Sequence, residues 1–117
     1  MEFNPNTEFI KHLKSAKKNN DHMALAWILT DFVEENKNIS KKNFNAFRKY
    51  QITKQYGKLL KKSIKRFKEM IENDKKLIKS CGYFSAEGYV DKDYHNNSKR
   101  YLKNMEKEAK RIKLKLS

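Results

Sequence analysis

Residues 37–68 are KNISKKNFNAFRKYQITKQYGKLLKKSIKRFK, a segment with twelve Lys or Arg and no Asp or Glu. Apolar residues recur among these cations at the three- and four-residue spacing of helices. Ser40 and Thr53 are candidate N-caps, so the segment predicts a short helix over 41–50 and a second helix after a tight turn. The cations fall largely away from the apolar side of both predicted helices.

The second predicted helix is long. Its apolar stripe extends to Cys81 through Tyr56, Leu60, Ile64, Phe67, Ile71 and Ile78. Lysines three and four residues apart form a stripe on another face from Lys54 to Lys68, with a length of about 21 Å, or roughly six base-pair steps. Asp74 interrupts the apolar stripe, so we expect a kink or a break at Asn73-Asp74.

Two helices are predicted before the basic segment. Asn6 or Thr7 is expected to cap a helix that ends at about Lys17, and Asp21 to cap a helix over 22–36 that is apolar around most of its circumference. Trp27 in that helix is interpreted as a core anchor. The alternative, a platform on which a nucleobase stacks, requires a partly exposed ring.

The C-terminal part predicts a helical hairpin. Gly82 ends the long helix, an aromatic loop covers 82–91, and Asp91 or Asp93 caps a last helix. The last helix is expected to pack antiparallel on residues 54–81. The loop aromatics, Tyr83, Phe84 and Tyr89, are interpreted as folding back on the core, with an exposed stacking surface as the alternative.

Together these elements predict an all-α fold, a compact bundle of about five helices with a long C-terminal helical hairpin. The 117 residues include three Gly and one Pro, so residues that favour tight turns between strands are scarce. The length suits one domain, divided into an N-terminal helix pair (7–36), the basic helices (40–68) and the hairpin (69–117).

The cysteine content and the hydropathy of the sequence indicate the cellular compartment. Cys81 is the single cysteine, which excludes a disulfide within the chain and fits a reducing environment. No secretory signal and no apolar run long enough to span a bilayer is found in the sequence. We therefore expect a cytoplasmic protein.

Charge is distributed unevenly along the chain. Residues 1–36 carry −2, residues 37–68 carry +12, residues 69–98 carry −2 and residues 99–117 carry +6, which together give the net +14. A run of cations without counter-ions repels itself and attracts a polyanion. We predict a small, non-catalytic nucleic-acid-binding protein, with DNA favoured over RNA, in which the contacting residues are Lys41, Lys42, Arg48, Lys49, Lys54, Gln55, Lys58, Lys61, Lys62, Lys65, Arg66 and Lys68.

Residues 40–66, a short capped helix, the turn Tyr50-Gln51-Ile52-Thr53 and a second helix, resemble the helix-turn-helix of DNA-binding regulators. The resemblance implies that Lys54, Gln55 and Lys58 face base edges and that nearby lysines hold phosphates. The sequence departs from the family pattern, with Phe47 where Ala is expected and Gln51 where Gly is expected. Lysine in place of arginine favours sequence-tolerant contacts to phosphate.

Enzyme chemistry is weakly indicated, and we predict no enzyme, no cofactor and no metal. Asp91, Asp93 and His95, with Glu87, could surround a divalent ion, but the same acids suit a helix start. Cys81 is interpreted as a buried or incidental thiol, with a nucleophile as the alternative.

Other partners remain open. In composition the chain resembles small proteins of phages and mobile elements, including anti-CRISPR inhibitors, and such a module would aim its basic face at an acidic protein surface. An anionic membrane is disfavoured, because the apolar stripes are needed for the core. Apolar surface left exposed would close a homodimer. A functionally idle basic face produced by an AT-rich coding sequence is the simplest alternative to polyanion binding.

Overall fold

The computed structural model describes residues 4–81 and 92–114, and these residues form five helices and no strand. The helices are α1 (Pro5–Asn19), α2 (His22–Val33), α3 (Lys41–Gln51), α4 (Lys54–Cys81) and α5 (Lys92–Arg111). The predicted all-α bundle with a long C-terminal hairpin is confirmed.

Three predicted helix caps are present. The Asp21 carboxylate accepts hydrogen bonds from the Met23 and Ala24 amides, both at 3.1 Å. Ser40 Oγ accepts from the Asn43 amide at 3.2 Å, and Thr53 Oγ1 accepts from the α4 amide of residue 56 at 3.2 Å. Each cap satisfies a helix N–H group that has no partner within its own helix.

The prediction for the start of α1 is wrong in detail. Asn4 Oδ1 accepts from the amides of Asn6 (3.0 Å) and Thr7 (3.4 Å), and Pro5 occupies the first helical position. Because Asn4 serves as the cap, the Asn6 carboxamide is free for another use. Its Oδ1 accepts from the Ser40 amide at 2.6 Å, which ties the start of α1 to the start of α3.

Aromatic rings join the first four helices. Phe47 of α3 lies edge-to-face with Phe9 of α1 (6.2 Å between ring centroids), Phe32 of α2 (5.1 Å) and Tyr56 of α4 (5.7 Å). Each such pair contributes about 0.5–1.5 kcal/mol beyond the burial of its area. Phe47 is fully buried, and α3 is therefore held to the rest of the bundle through its apolar side.

Helices α4 and α5 run antiparallel. Tyr56 near the start of α4 reaches Glu108 near the end of α5 at 2.9 Å, while Asp74 Oδ2 lies 3.3 Å from His95 Nδ1 near the opposite end of the pair. The predicted break at Asn73-Asp74 is wrong, since α4 is one continuous helix from residue 54 to 81. Asp74 is tolerated in the hairpin because the imidazole of buried His95 faces its carboxylate.

A buried carboxylate fixes the junction of α3, α4 and α5. Glu108 is 2% exposed and accepts hydrogen bonds from Gln51 Nε2 (2.6 Å), Tyr56 Oη (2.9 Å) and the Arg111 guanidinium (2.6 and 2.9 Å). Hydrogen bonds to Glu108 raise the pKa of Arg111. Burial and the charge of Glu108 raise the pKa of Tyr56 far above its ordinary value, so its hydroxyl stays a donor. The charge is thus both paired and hydrogen-bonded, as a buried ion requires.

The interpretation of Trp27 as a core anchor is wrong. Its side chain is 41% exposed and lies against the His12 ring, with 4.4 Å between the ring centroids. Because α2 is apolar on nearly all sides, its sequence does not show which side is buried. The buried positions are Ala24, Leu25, Ala26, Ile28 and Leu29.

The aromatic loop 82–91 and Asp91 lie outside the described residues. Asp93 is in the first turn of α5, inside the helix and not at a cap position before it.

Candidate nucleic-acid interface

Helix α4 has two faces of opposite character. With 3.6 residues per turn, Lys58, Lys62 and Lys65 lie on the side opposite Leu60 and Phe67. The apolar side packs into the bundle, and its buried residues are Tyr56, Leu59, Leu60, Ser63, Ile64, Phe67 and Ile71. The other side is exposed to solvent, and we call it the lysine face: Lys54, Lys58, Lys61, Lys62, Lys65, Arg66 and Lys68.

Carboxylates leave the lysine face largely unneutralised. Lys68 lies 3.7 Å from Glu106 of α5, and both side chains are about half exposed. In residues 4–81 and 92–114, no other cation of this face forms an ion pair within 4.0 Å. Within the part of the chain that the structure describes, six of the seven cations of this face therefore have no carboxylate within ion-pair distance.

Two grooves run on either side of a central ridge of Lys58, Lys62 and Lys65. The first, about 720 Å³, separates α4 from the turn between α1 and α2, and its other lining residues are Asn20, His22, Gln55, Leu59, Arg66 and Glu69. The second, about 450 Å³, adds Lys61, Ile64, Lys68 and Glu69 to the ridge. Six of the seven cations of the lysine face, all except Lys54, thus line one or both of these grooves.

Gln55 has a specific partner within the protein. Its Nε2 donates a 2.6 Å hydrogen bond to the backbone carbonyl of Lys17 at the end of α1. This bond satisfies a carbonyl that α1 leaves without a partner and fixes the turn beside α4. To face a base edge, as the helix-turn-helix resemblance implies, the Gln55 amide would have to leave this position.

The predicted cations of α3 are exposed but do not line either groove. Lys41 and Lys42 occupy the first turn of α3 and Lys49 its last turn. The Arg48 guanidinium lies over the Phe32 ring at 5.8 Å from its centroid. The contact leaves Arg48 exposed, while stacking restricts its orientation.

The starts of α3 and α4 place positive charge against the positive ends of the helix dipoles. Lys41 and Lys42 begin α3, Lys54 begins α4, and neither first turn contains an acid. A cation at this end is unfavourable by about 0.3–1 kcal/mol, whereas an anion is stabilising there by a similar amount. A phosphate bound at either helix start would add a favourable interaction with the dipole and offset this cost.

Residues 40–66 form α3, the turn Ile52-Thr53 and the first half of α4. Ile52 is 86% exposed in this turn, whereas Phe47 is fully buried in the core. The turn is held by the Thr53 amide and hydroxyl, which donate to the Tyr50 carbonyl at 3.0 and 2.7 Å.

The residues considered for metal binding do not converge where they are described. His95 is buried and paired with Asp74, and no group of three or more His, Cys, Asp or Glu within residues 4–81 and 92–114 could hold a metal ion. Glu87 and Asp91 lie outside these residues.

None of the helices in the described part of the chain is both long and apolar enough to cross a membrane. Comparison of the chain with protein-family models, with curated proteins and with solved structures gave no match.

Proposed function

We propose that this protein binds nucleic acid, and that the lysine face of α4 is its main contact surface. Lys41 and Lys42 at the exposed start of α3 supply further cations. The mechanism is charge neutralisation: ammonium groups replace the counter-ions condensed on the phosphate backbone, and release of those ions drives binding. No catalytic step is part of the proposal.

The observation that carries the proposal is the concentration of unpaired cations on one side of α4. Seven exposed Lys or Arg residues occupy this side between residues 54 and 68, and one of them, Lys68, has a carboxylate within 4.0 Å in the described chain. Bringing these charges together costs free energy, and a polyanion would recover it.

The residue types favour contacts that tolerate different sequences. Lysine meets phosphate as a point charge, whereas arginine supplies the planar fork that recognises guanine edges. Arg66 is the one arginine that lines the groove beside the α1–α2 turn. We therefore expect small differences in affinity among duplex sequences.

The test is fluorescence anisotropy with a labelled DNA duplex of about 20 base pairs. The variant combines Lys58→Glu and Lys65→Glu on the ridge with Lys61→Glu beside it. It is expected to bind the duplex more than tenfold more weakly, because three phosphate contacts become repulsive. The same assay with a duplex of RNA tests the preference for DNA.

The matched control changes net charge equally at a different place. Lys92, Lys99 and Lys103 are exposed and share the solvent side of α5. Their triple reversal to Glu is expected to have the smaller effect. Equal losses in the two triple variants would show that net charge, and not the lysine face, governs binding. No binding by the unmodified protein would refute the proposed function.

Nuclease treatment separates this function from binding to an acidic protein surface, the other candidate that the charge pattern allows. In a pull-down with the unmodified protein, partners bridged by nucleic acid are lost after digestion. A protein that stays bound after digestion and is lost in the lysine-face variant would favour the protein-interaction module.

A further inference from the structure

A second concave surface lies between α1, α2 and α5, and it differs in chemistry from the lysine face. We call it the tryptophan groove, and its central residues are Trp27, His12, Tyr101, Glu8 and Asp31. Its volume of about 610 Å³ is in the range of ligand pockets. It shares no lining residue with the two grooves beside α4.

Trp27 presents an aromatic surface that is partly open and held in place. Its indole is 41% exposed, and the His12 ring packs against it at 4.4 Å with the two planes inclined by 65°. Tyr101 of α5 is anchored from behind by an edge-to-face contact with Phe67 at 6.3 Å. A large indole on a rigid helix is the kind of group that dominates binding energy at interfaces.

The charge of the groove is negative, in contrast to the molecule as a whole. Glu8 and Asp31 contribute two carboxylates against the single ammonium of Lys11. One Asp31 oxygen accepts from Asn36 Nδ2 at 3.0 Å, and a Glu8 oxygen lies 3.7 Å from His12 Nε2. Burial lowers the pKa of His12, which keeps its imidazole neutral at neutral pH. An incoming cation therefore meets two carboxylates and an aromatic ring.

We propose that the tryptophan groove binds an arginine side chain of a partner polypeptide. The guanidinium would stack on Trp27 and donate hydrogen bonds to Glu8 and Asp31. Arginine suits this combination better than lysine, because its planar group stacks on rings and forms bidentate bonds with carboxylates. Arg48 over Phe32 shows the same stacking preference within this chain.

This site is independent of the proposed function. The lysine face attracts polyanions, whereas the groove attracts a cation, and the two surfaces are lined by different residues. Failure of arginine binding would leave nucleic-acid binding untouched, and the reverse also holds. The chain would then join a polyanion to a protein that carries an exposed arginine.

Trp27 is the single tryptophan, so its fluorescence and its indole N–H signal in NMR spectra report on this groove alone. The probes are blocked pentapeptides of glycine with a central arginine, lysine, glutamine or glutamate, titrated to millimolar concentration. We expect saturable shifts of the Trp27 indole signal with arginine, weaker shifts with lysine, and none with glutamine or glutamate.

Variants test the assignment of the carboxylates. Glu8→Gln with Asp31→Asn is expected to weaken arginine binding about threefold to tenfold, as loss of partly exposed ion pairs predicts, whereas Lys11→Gln is expected to strengthen it. Glu72→Gln, an exposed change on α4, is the control and should have no effect. If the double variant folds poorly, the stronger arginine binding expected for Lys11→Gln still tests the role of charge in the groove.

Three results would overturn the proposal. The first is an arginine peptide that leaves the indole signal unchanged, and the second is a glutamine peptide that shifts it equally. The third is quenching of Trp27 by a single-stranded oligonucleotide that is stronger than the effect of the arginine peptide, which would assign the ring to base stacking.

Discussion

The two faces of α4 differ in character: the inward face packs into the core and stabilises the fold, whereas the outward face carries the exposed positive charge. The inward face contributes Tyr56, Leu60, Ile64 and Phe67 to the core and supports the network around Glu108. The outward face carries seven cations whose side chains pack against little of the fold. One helix thus has a side on which substitutions affect folding and a side on which they should affect binding.

The separation of the two faces indicates that the cations of α4 are not needed for folding. Exposed lysines contribute little to folding, and surface substitutions usually change stability by less than 0.5 kcal/mol. The fold therefore does not require a continuous row of cations from Lys54 to Lys68. The proposed binding function would account for the row, and substitutions on the two faces can separate effects on folding from effects on binding.

The largest expected effect is on the inward face. Glu108→Ala removes the acceptor of hydrogen bonds from Gln51, Tyr56 and Arg111 and leaves the buried Tyr56 hydroxyl without this partner. We expect a loss of about 2–4 kcal/mol in the free energy of unfolding, measured by urea denaturation. Glu106→Ala, two residues earlier and exposed, is the control and should cost about 0–1 kcal/mol. Similar losses for the two variants would contradict the assigned role of Glu108.

A smaller effect of opposite sign is expected at Ser63. Its hydroxyl is buried on the inward face and has no hydrogen-bond partner among the residues that the structure describes. Ser63→Ala removes this unpaired group and introduces a better helix former, so we expect a gain of about 1–2 kcal/mol in the free energy of unfolding. Ser80→Ala, exposed near the end of α4, should gain only the helix-propensity part, about 0.5 kcal/mol. Destabilisation by Ser63→Ala would show that the hydroxyl has a partner in solution.

On the outward face, Glu69 is expected to oppose nucleic-acid binding. It is an exposed carboxylate that lines both grooves beside the lysine ridge. Glu69→Gln should strengthen duplex binding by about twofold to fivefold, because repulsion of a nearby phosphate is removed. Glu72→Gln, which lines neither groove, should change affinity less. If Glu69→Gln weakened binding, the phosphate path along α4 would be incorrectly placed.

The smallest effect is the pH dependence that involves His12. Burial is the main cause that lowers its pKa below 6.5, with Glu8 acting in the opposite direction and Lys11 in the same one. The folded state then binds fewer protons than the unfolded chain. The resulting penalty is absent well above pH 6.5, develops as pH falls from 6.5 to the folded pKa, and is constant below it.

The measurement compares the pH dependence of the free energy of unfolding in the unmodified protein and in His12→Gln. The decrease between pH 7 and pH 5 should be smaller in the variant. A larger decrease in the variant would mean that protonated His12 stabilises the fold.

Local chemistry made much of this fold predictable. Asp21, Ser40 and Thr53 cap helices as expected, since each precedes an apolar-periodic run and has a short oxygen-bearing side chain. Apolar periodicity also predicted the long α4 and its antiparallel partner. These features depend on neighbours along the chain, which a sequence shows directly.

Features that depend on tertiary contacts were missed. The exposure of Trp27 follows from which side of α2 meets the other helices, and an all-round apolar helix does not show that side. The sequence predicts a break at Asp74 because it does not show the partner of Asp74, His95, which lies on another helix. Glu108 follows Met105 by three residues, so the helical period places it on the apolar side of α5. The sequence does not show which three residues of the fold form hydrogen bonds with it.

The candidate site was predicted in part. Alternation of cations and apolar residues predicted that lysines would share one side of α4, and they do. The grooves beside them, the bond from Gln55 to Lys17 and the position of Glu69 depend on how α1 and α2 pack, which the sequence does not contain.

The central claim is that cations on α4 replace counter-ions on a phosphate backbone, and the salt dependence of duplex binding tests it most directly. A plot of the logarithm of the association constant against that of the salt concentration has a slope of about −0.9 for each phosphate contacted. With five to seven contacts we predict a slope of about −4.5 to −6.3, reduced in magnitude by about 2 to 3 in the Lys58→Glu, Lys61→Glu, Lys65→Glu variant. A slope near zero, or the same slope in the variant, would contradict the account.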